Sequence, residues 1–348
     1  MTRINNLGTC CIITSGLKID SKGVRTYPSH RDFKLGTVQQ AALDKLLLGS
    51  DYKTLKDNPS HRLTLLQNPL KHKLCYDKLT SKVKDNLKSL KNCLKFVATL
   101  NDGMRMFRIG SDLLPMFDHP EYKNLYDNKL LSLIDYNLES CKNIIDQHNI
   151  VVTCHPDQFN VVNSDRESVR LKSFECLYYH KYFMERLTTS DKSCINIHVT
   201  GKLDCIPELD KGMYSDLVPW LSFENDDTNA RAGVLPTLTM CSKYNIKMLY
   251  DIHHDLCENF GSVLAIDKPT LISDIINTWQ GNTPIFHVSD SRDNVPTDAV
   301  TPKKLSPHSE YIVRADIVNY TRRLLNWGHV EVEAKAKQLA VVDLYSKL

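Results

Sequence analysis

Seven short apolar segments of this chain end on, or just before, a residue that can bind a metal ion or a phosphate. In order they are MFRIGSD (106–112), VVTCHPDQF (151–159), INIHVTG (195–201), LSFEND (221–226), MLYDIHH (248–254), PIFHVSD (284–290) and VEVEAKAK (330–337). An eighth segment, RINNLGTC (3–10), precedes them. Strands that deliver polar groups at their carboxyl ends are typical of a (β/α)8 barrel, whose active site lies there. We therefore predict an α/β fold, a single (β/α)8 TIM barrel.

Helical periodicity between these segments supports parallel βαβ units. The predicted strands cover 104–109, 150–154, 194–199, 219–224, 246–252, 284–288 and 329–333. The predicted helices cover 127–147, 165–187, 210–218, 230–244, 268–279 and 314–326, with a short helix at the C-terminus. No G-x-G-x-x-G follows any of these strands, so a dinucleotide-binding fold has no support.

The segment between the first strand and the first barrel helix is long. An amphipathic helix is predicted over 77–100, with leucine and valine at three- and four-residue spacing. Before it, DNPSHR and QNPLKH are interpreted as turns. We therefore expect one domain, 1–348, with an N-terminal insertion after strand 1 over roughly residues 36–75.

Composition excludes several classes of protein. The chain has 348 residues, 42% of them hydrophobic and 24% charged, as in ordinary globular proteins. Its apolar runs are far shorter than the roughly 20 residues that span a bilayer, and Met1–Asn6 lacks the apolar core of a signal peptide. The 11 cysteines are an odd number without any C-x-x-C, which favours free thiols. We expect a protein of the reducing interior, cytoplasmic, nucleoid or nuclear, with no membrane partner.

Charge is distributed unevenly along the chain. Residues 1–100 carry 18 lysines and arginines against seven acidic residues, whereas the remainder is net acidic and the whole chain carries +3. A basic segment beside a carboxylate-rich remainder suits a polyanionic substrate that is steered toward a metal site. Alternatively, these lysines form the solvated face of an amphipathic helix, and charge alone does not decide between the two.

Imidazoles and carboxylates dominate the ends of the predicted strands and the loops beyond them. The candidates are His155, His198, Glu224, Asp251, His254, His287, His308 and Glu333. Any one of them alone is better explained by a hydrogen bond in the core or by a helix cap. Together they bring ligands from six of the eight strands to one mouth, which indicates two or three divalent ions. If a helix begins just after the strand, Asp251 and His254 share a face that His253 does not.

Such a set of ligands supports more than one reaction. Clustered divalent ions can lower the pKa of a bound water toward roughly 7 and hold both oxygens of a phosphoryl displacement. That chemistry is the hydrolysis of a phosphodiester. Proton or hydride shifts on a sugar are the alternative, and the ligands alone leave both open.

Eight spaced motifs follow one another in a fixed order. They are MFRIGSDLLPMFDHP (106–120), CHPDQFNVVNS (154–164), INIHVTG (195–201), FEND (223–226), YDIHH (250–254), HVSDSR (287–292), SPH (306–308) and VEVEAKAK (330–337). This order resembles the UV-damage endonuclease family, relatives of endonuclease IV. The resemblance implies an ATP-independent DNA-repair endonuclease that nicks duplex DNA immediately 5′ of cyclobutane dimers, 6-4 photoproducts and abasic sites. It also implies attack of a metal-activated water on the phosphodiester, leaving a 3′-hydroxyl and a 5′-phosphate.

The resemblance divides the candidate ligands among three ions. The sets are His155, His198 and Glu224 for the first, Glu224, Asp251, His287 and Glu333 for the second, and His254 and His308 for the third. We expect Mn²⁺, with Zn²⁺, Co²⁺ or Mg²⁺ as alternatives, because mixed histidine and carboxylate sites accept all of these metals.

The resemblance also implies residues that act on the DNA. Glu224, Glu333 and Lys335 would be catalytic, and Lys335, Arg108 and Arg292 would contact phosphate. A surface ion pair explains these basic side chains equally well. Damaged double-stranded DNA is the implied partner of a monomer, with no nucleotide cofactor.

Gln158 and Phe159 match a loop that probes the lesion in this family. An aromatic side chain there can stack in the gap left by a flipped dinucleotide, which is worth roughly 1–3 kcal/mol per base. Alternatively, Phe159 packs on its own barrel. The family often has tyrosine where Phe159 and Thr9 stand, so Thr9 marks a second lesion contact that lacks its ring. Some members have a lysine where this chain has Ile285.

Two other functions remain open on the sequence. A metal-dependent sugar isomerase or epimerase would use the same barrel, but it needs a small closed pocket. A DNA-binding barrel without catalysis would not need the full set of ligands. The affinity for DNA falls steeply with the logarithm of the salt concentration, whereas sugar turnover should barely respond to salt.

Overall fold

Parallel strands form a closed barrel in the computed structural model, which describes residues 5–200, 212, 214–227, 232–259, 264–292 and 302–348. The eight barrel strands within these residues are β1 (Leu7–Cys10), β4 (Met106–Ile109), β5 (Val151–Cys154), β6 (Ile195–His198), β7 (Leu221–Glu224), β8 (Lys247–Asp251), β9 (Ile285–Val288) and β10 (His329–Val332). Each pairs in parallel with its neighbours along the chain, and β10 closes the barrel on β1. The predicted TIM barrel is confirmed.

Helices cover the outside of the barrel. They are α1 (Gln40–Leu48), α2 (Tyr52–Leu55), α3 (Pro59–Leu66), α4 (Pro69–Ala98), α5 (Asn128–His148), α6 (Glu167–Leu187), α7 (Val234–Tyr244), α8 (Ile252–Asn259), α9 (Pro269–Asn277), α10 (Pro302–Leu305), α11 (Ala315–Leu324) and α12 (Gln338–Tyr345). A small antiparallel hairpin, β2 (Lys18–Ile19) with β3 (Arg25–Thr26), follows the first barrel strand.

Helix α5 illustrates how the sequence fixes these elements. Asp127 caps its N-terminus by accepting a hydrogen bond from the Leu130 N–H at 2.8 Å. Asn149 ends it in the left-handed conformation. Its buried side chains recur every three or four residues, at Leu130, Ile134, Leu138, Cys141 and Ile145. This apolar stripe packs toward the barrel and belongs to the main hydrophobic core.

The two segments interpreted as turns are helix N-termini. The side chain of Asn58 accepts a hydrogen bond from the His61 N–H at 3.0 Å, and Pro59 opens α3. Asn68 and Pro69 open α4 in the same way. An asparagine before a proline satisfies free N–H groups and fixes φ for a helix as well as for a turn. Helix α4 therefore begins at Pro69, inside the segment over roughly residues 36–75 that the sequence predicts to be an insertion.

The predicted helix over 210–218 is wrong in its described part. Residues 214–217 form a turn, and Val218–Trp220 form a single 3-10 turn. Strand β7 begins at Leu221, directly after Pro219 and Trp220, so there is no room for a longer helix. Residues 210, 211 and 213 of this prediction lie outside the described residues.

Two compositional expectations can be compared with the fold. Ten cysteines fall in the described part of the chain, and all of them are free. Nor does that part contain a helix that is both long and apolar enough to cross a bilayer.

Candidate metal centre at the barrel mouth

The carboxyl ends of six strands bring the predicted ligands together. Strand register sets His198 beside Glu224 on β6 and β7, and Asp251 beside His287 on β8 and β9. The remaining ligands come from the residues that follow the strands, at His155, His254, His308 and Glu333. This arrangement follows from parallel pairing, because the last residues of neighbouring parallel strands meet at the same edge.

The first group of possible ligands consists of His155, His198 and Glu224. One ligand atom from each lies within 4.8 Å of the others. His155 Nε2 is 3.1 Å from Glu224 Oε2, and His198 Nε2 is 3.8 Å from the same oxygen. Two imidazoles and one carboxylate oxygen are a donor set that suits Zn²⁺ or Mn²⁺.

The second group consists of Glu224, Asp251 and His287 and uses the other oxygen of Glu224. His287 Nδ1 lies 3.1 Å from Glu224 Oε1 and 3.9 Å from Asp251 Oδ2. Glu333 Oε1 is 3.4 Å from the same nitrogen. The two oxygens of Glu224 therefore face two different groups of ligands, as a bridging carboxylate would.

Asp251 uses one carboxylate oxygen as a helix cap and leaves the other facing the second group. Its Oδ1 accepts hydrogen bonds from the N–H groups of His253 and His254, at 2.6 and 3.0 Å, and so caps α8. Its Oδ2 is buried and has no hydrogen-bond partner among the described residues. That oxygen is the one that faces His287.

Three histidines are anchored through Nδ1 on backbone carbonyls. The pairs are His155 with Pro156 at 2.8 Å, His254 with Asn225 at 2.7 Å, and His308 with Glu333 at 2.7 Å. A carbonyl can only accept, so Nδ1 carries the proton and Nε2 keeps its lone pair when the ring is neutral. Ligating histidines are held in this way in metal sites. The donor set therefore fits divalent ions.

His254 and His308, the predicted ligands of a third ion, contact different carboxylates of the mouth. His254 Nδ1 is 3.4 Å from Glu224 Oε1, and His308 Nδ1 is 3.7 Å from Glu333 Oε2. His253 turns away, as expected, with Nε2 at 3.2 Å from the Ser306 carbonyl. A third group does not emerge within the described residues at the spacing of the first two.

The electrostatic field at the mouth favours cations. Burial alone would lower the pKa of His254, but the carboxylates of Asp251 and Glu224 outweigh it and raise the pKa to about 9. Burial likewise opposes the charge on His287, yet Glu224 and Glu333 hold its pKa well above the usual value. Burial would raise the pKa of Glu224, but His287 and His198 hold it well below its usual range. The carboxylates therefore remain ionised and attract positive charge.

A cavity of about 770 Å³ opens above these ligands. It is lined by Cys11, Arg108, His155, Pro156, Asp157, Gln158, His198, Thr200, Asp226, Asp227, His254, Ser306, His308 and Glu333. Gln158 stands at its rim, and the neighbouring Phe159 is 88% exposed. The interpretation that Phe159 packs on its own barrel is therefore wrong.

The residues predicted to contact DNA differ in how far they are exposed to solvent. Arg292 is exposed, and Lys335 is half-buried just beyond Glu333. The guanidinium of Arg108 lines the cavity but pairs with Glu333 and Glu331, and its side chain is only 13% exposed. Thr9 is 1% exposed inside β1, so its side chain is not accessible to DNA on this surface. The family resemblance that suggests Thr9 does not show whether a strand residue is accessible.

Sequence reasoning missed the polar layer beneath the ligands. Asn196 donates a hydrogen bond to Glu224 Oε2 and is itself held by Ser222 at 2.9 Å. Glu331 lies beneath Glu333 and faces His287. These residues lie two positions before His198, Glu224 and Glu333 on the same strands, so the two-residue period of a strand was the available signal.

Fold and site together define a class, TIM-barrel proteins with groups of possible metal ligands in the mouth. The UV-endonuclease UvdE family model matches residues 52–348, and the chain belongs to this family of DNA-repair endonucleases for UV damage. The UV DNA damage endonuclease of Bacillus cereus (strain B4264) is 25% identical over 287 residues, which cover 78% of this chain and 83% of that protein. The enzyme of the same name from Bacillus anthracis (strain A0248) gives the same identity and coverage.

A solved structure shares the fold. The crystal structure of SacUVDE superposes with a TM-score of 0.64 at 20% sequence identity, and the match covers 99% of this chain and 98% of that one. The likeness extends over the N-terminal helices as well as the barrel, so the segment predicted to be an insertion lies within the matched region.

Proposed function

We propose that this chain is a metal-dependent endonuclease that nicks duplex DNA immediately 5′ of a UV photoproduct. The proposed lesions are cyclobutane dimers, 6-4 photoproducts and abasic sites, and the proposed products are a 3′-hydroxyl and a 5′-phosphate. Family membership supports the substrate. The observation that carries the chemistry is Glu224, whose two oxygens face separate groups of metal ligands.

The two groups would each hold a divalent ion, for which we propose Mn²⁺, and His254 and His308 would serve a third. Glu333, 3.4 Å from His287, would complete the second group. When bound, the ions polarise the phosphodiester and lower the pKa of a water toward roughly 7. The protein's share of this chemistry is to fix the ligands in a buried, negatively charged mouth and to keep their lone pairs directed inward.

The rim of the mouth suits a large, distorted substrate better than a sugar. The exposed ring of Phe159 lies beside Gln158, which lines the cavity. A ring in this position can fill the gap left when damaged bases leave the stack. Lys335 and Arg292 are the proposed contacts to phosphate, because neither is buried and both follow strands that supply ligands.

We further propose that the protein works as a monomer in the reducing interior, without a nucleotide cofactor. Ten free cysteines in the described residues are consistent with that compartment. Metal-assisted hydrolysis needs only water as a co-reactant, so ATP should have no effect on the rate of incision.

The test is incision of a duplex that carries one cyclobutane dimer, labelled at the 5′ end of the damaged strand, with Mn²⁺ present. We expect one product that ends at the nucleotide immediately 5′ of the dimer. DNA ligase should reseal the nick directly, since it needs a 3′-hydroxyl and a 5′-phosphate. A matched undamaged duplex should stay intact. Incision of an abasic duplex without incision of the dimer would contradict the proposed preference for photoproducts.

A further inference from the structure

Glu331 is a buried carboxylate that the ligand groups do not include. It lies on β10, wholly buried, and its strand register sets it opposite His287 on β9. Its Oε2 lies 2.9 Å from His287 Nε2. The other ring nitrogen of His287, Nδ1, faces Glu224 Oε1 at 3.1 Å. The imidazole of His287 thus lies between the Glu331 carboxylate on one side and the other members of the second group on the other side.

Neighbouring strands fix the carboxylate of Glu331 from two further sides. The hydroxyl of Thr153 on β5 donates a hydrogen bond to Oε1. Arg108 Nη1 on β4 lies 3.5 Å from Oε2 and also pairs with Glu333. Three strands other than its own therefore contribute to holding the acceptor below His287. Because the carboxylate of Glu331 is held from several sides, it can in turn fix the orientation of the His287 ring.

We propose that Glu331 is a positioning residue for the second metal group. Across the 2.9 Å contact, Glu331 Oε2 would accept the Nε2–H of His287 once an ion is bound, and the unprotonated Nδ1 would then face Glu224 and Asp251. This role rests on the proposed function, since it concerns the ions that the mouth would hold. Histidine ligands whose outer nitrogen is bound by a carboxylate keep one tautomer and become stronger donors, and loss of such a partner weakens metal binding about 10- to 100-fold.

His287 differs in this respect from His155, His254 and His308. Those three rings are anchored through Nδ1 on backbone carbonyls, which no side-chain substitution removes. His287 is anchored through Nε2 on a side chain. Loss of Glu331 should therefore lower the affinity of the second group for its ion. The affinity of the group formed by His155, His198 and Glu224 should not change.

Burial makes a merely structural role for Glu331 a poor explanation. An ionised carboxylate deep in a barrel costs desolvation, which only its partners offset. The partners of Glu331 are His287, Thr153 and Arg108, and two of these, His287 and Arg108, themselves belong to the mouth. The contact with the His287 ring explains why a carboxylate stands at this position.

The experiment is a Mn²⁺ titration of the full-length chain without DNA, followed by calorimetry and by electron paramagnetic resonance of the bound ions. The variants are Glu331→Gln, which keeps the shape but not the charge, and Glu331→Leu, which removes both. The matched control is Glu121→Gln, another buried carboxylate, which does not line the cavity and pairs with Arg62. Thermal unfolding of the metal-free proteins reports any general loss of structure.

We expect the affinity for one ion to fall about 10- to 100-fold in Glu331→Gln, and further in Glu331→Leu. The affinity for the other ion should stay at the wild-type value, and the resonance coupling between the two ions should disappear at limiting Mn²⁺. Glu121→Gln should lower the unfolding temperature and leave both affinities unchanged. An equal loss of affinity for both ions, or no change in either affinity, would overturn the positioning role. A wild-type chain that binds no Mn²⁺ would instead overturn the metal centre itself, and the role with it.

Discussion

Two clusters of buried charge in this molecule are built on opposite principles. The first, which we call the Arg62 cluster, joins Arg62, Asp44, Glu121 and Tyr122. Arg62 donates to both oxygens of Glu121, with Nη2 at 3.0 Å from Oε1, and also to the Lys56 carbonyl. Tyr122 donates to Asp44 at 2.6 Å. Among the described residues, no side-chain atom of this cluster is buried without a partner.

The second cluster is the mouth of the barrel, where several buried polar atoms have no hydrogen-bond partner among the described residues. Arg108 is the guanidinium that faces Glu331 and Glu333 there, while Glu224 and Asp251 face histidines. Buried polar atoms without a hydrogen-bond partner in the described part of the chain include Asp251 Oδ2 and His198 Nδ1. The difference separates charge that holds a fold from charge placed to bind a ligand, because, of the two clusters, only the mouth leaves buried polar atoms without a partner among the described residues.

The largest effect should come from Glu224→Gln, which tests the mouth. The amide keeps the volume but cannot bridge two cations, so we expect incision to fall at least about 1,000-fold. Quenched-flow incision of the dimer duplex and metal analysis of the same protein check this. Stability without metal should fall, since His198 and His287 lose the carboxylate that offsets their charge. Incision within tenfold of the wild type would contradict the bridging role.

Arg62→Met should have the next largest effect, and on stability alone. It leaves Glu121 buried without its partner, which costs about 3–5 kcal/mol. Urea unfolding measures the loss, and incision per folded molecule should not change. The control is Lys73→Met, which breaks an exposed pair with Asp77 at 2.7 Å and should cost less than about 1 kcal/mol. Equal costs for the two variants would show that the Arg62 cluster is not a closed structural unit.

Added metal should separate the two clusters further. Mn²⁺ at 100 times its dissociation constant should raise the free energy of unfolding by about 2.7 kcal/mol for each independent site, because it binds only the folded mouth. Differential scanning calorimetry with and without EDTA measures this. Arg62→Met should keep the full increase, whereas Glu224→Gln should lose most of it. An increase in Glu224→Gln as large as in the wild type would place the ions elsewhere.

Phe159→Ala should have the smallest of these effects, confined to the damaged substrate. Loss of stacking should cost about 1–3 kcal/mol in incision efficiency, measured as kcat/KM on the dimer duplex. Phe159→Tyr should act like the wild type because it keeps the ring. The ring is exposed, so neither variant should change stability. Equal incision by the alanine and tyrosine variants would refute stacking.

The mouth was predictable from sequence because its ligands end strands. The apolar runs before His198, Glu224, Asp251 and His287 marked both the strand and its end, and parallel pairing then brings the ends together. Glu331 was not identified, although it lies two residues before Glu333. A carboxylate in a strand is ambiguous until the register shows that both face the barrel interior, one beneath the other.

The Arg62 cluster was beyond sequence reasoning for a different reason. Its members, Asp44, Arg62 and Glu121, come from separate segments whose approach depends on how α1 and α3 pack. The asparagine–proline pair that opens α3 was interpreted as a turn, so the helix that carries Arg62 was missing. Local signals thus predicted the ligands of one site but not the contacts between distant segments.

Anomalous diffraction from crystals soaked in Mn²⁺ tests the central claim most directly. We predict two peaks on opposite sides of the Glu224 carboxylate, one near His155 and His198 and the other near Asp251 and His287. The Arg62 cluster should show none. No peak at Glu224, or a single peak that Glu224 does not contact, would contradict the account.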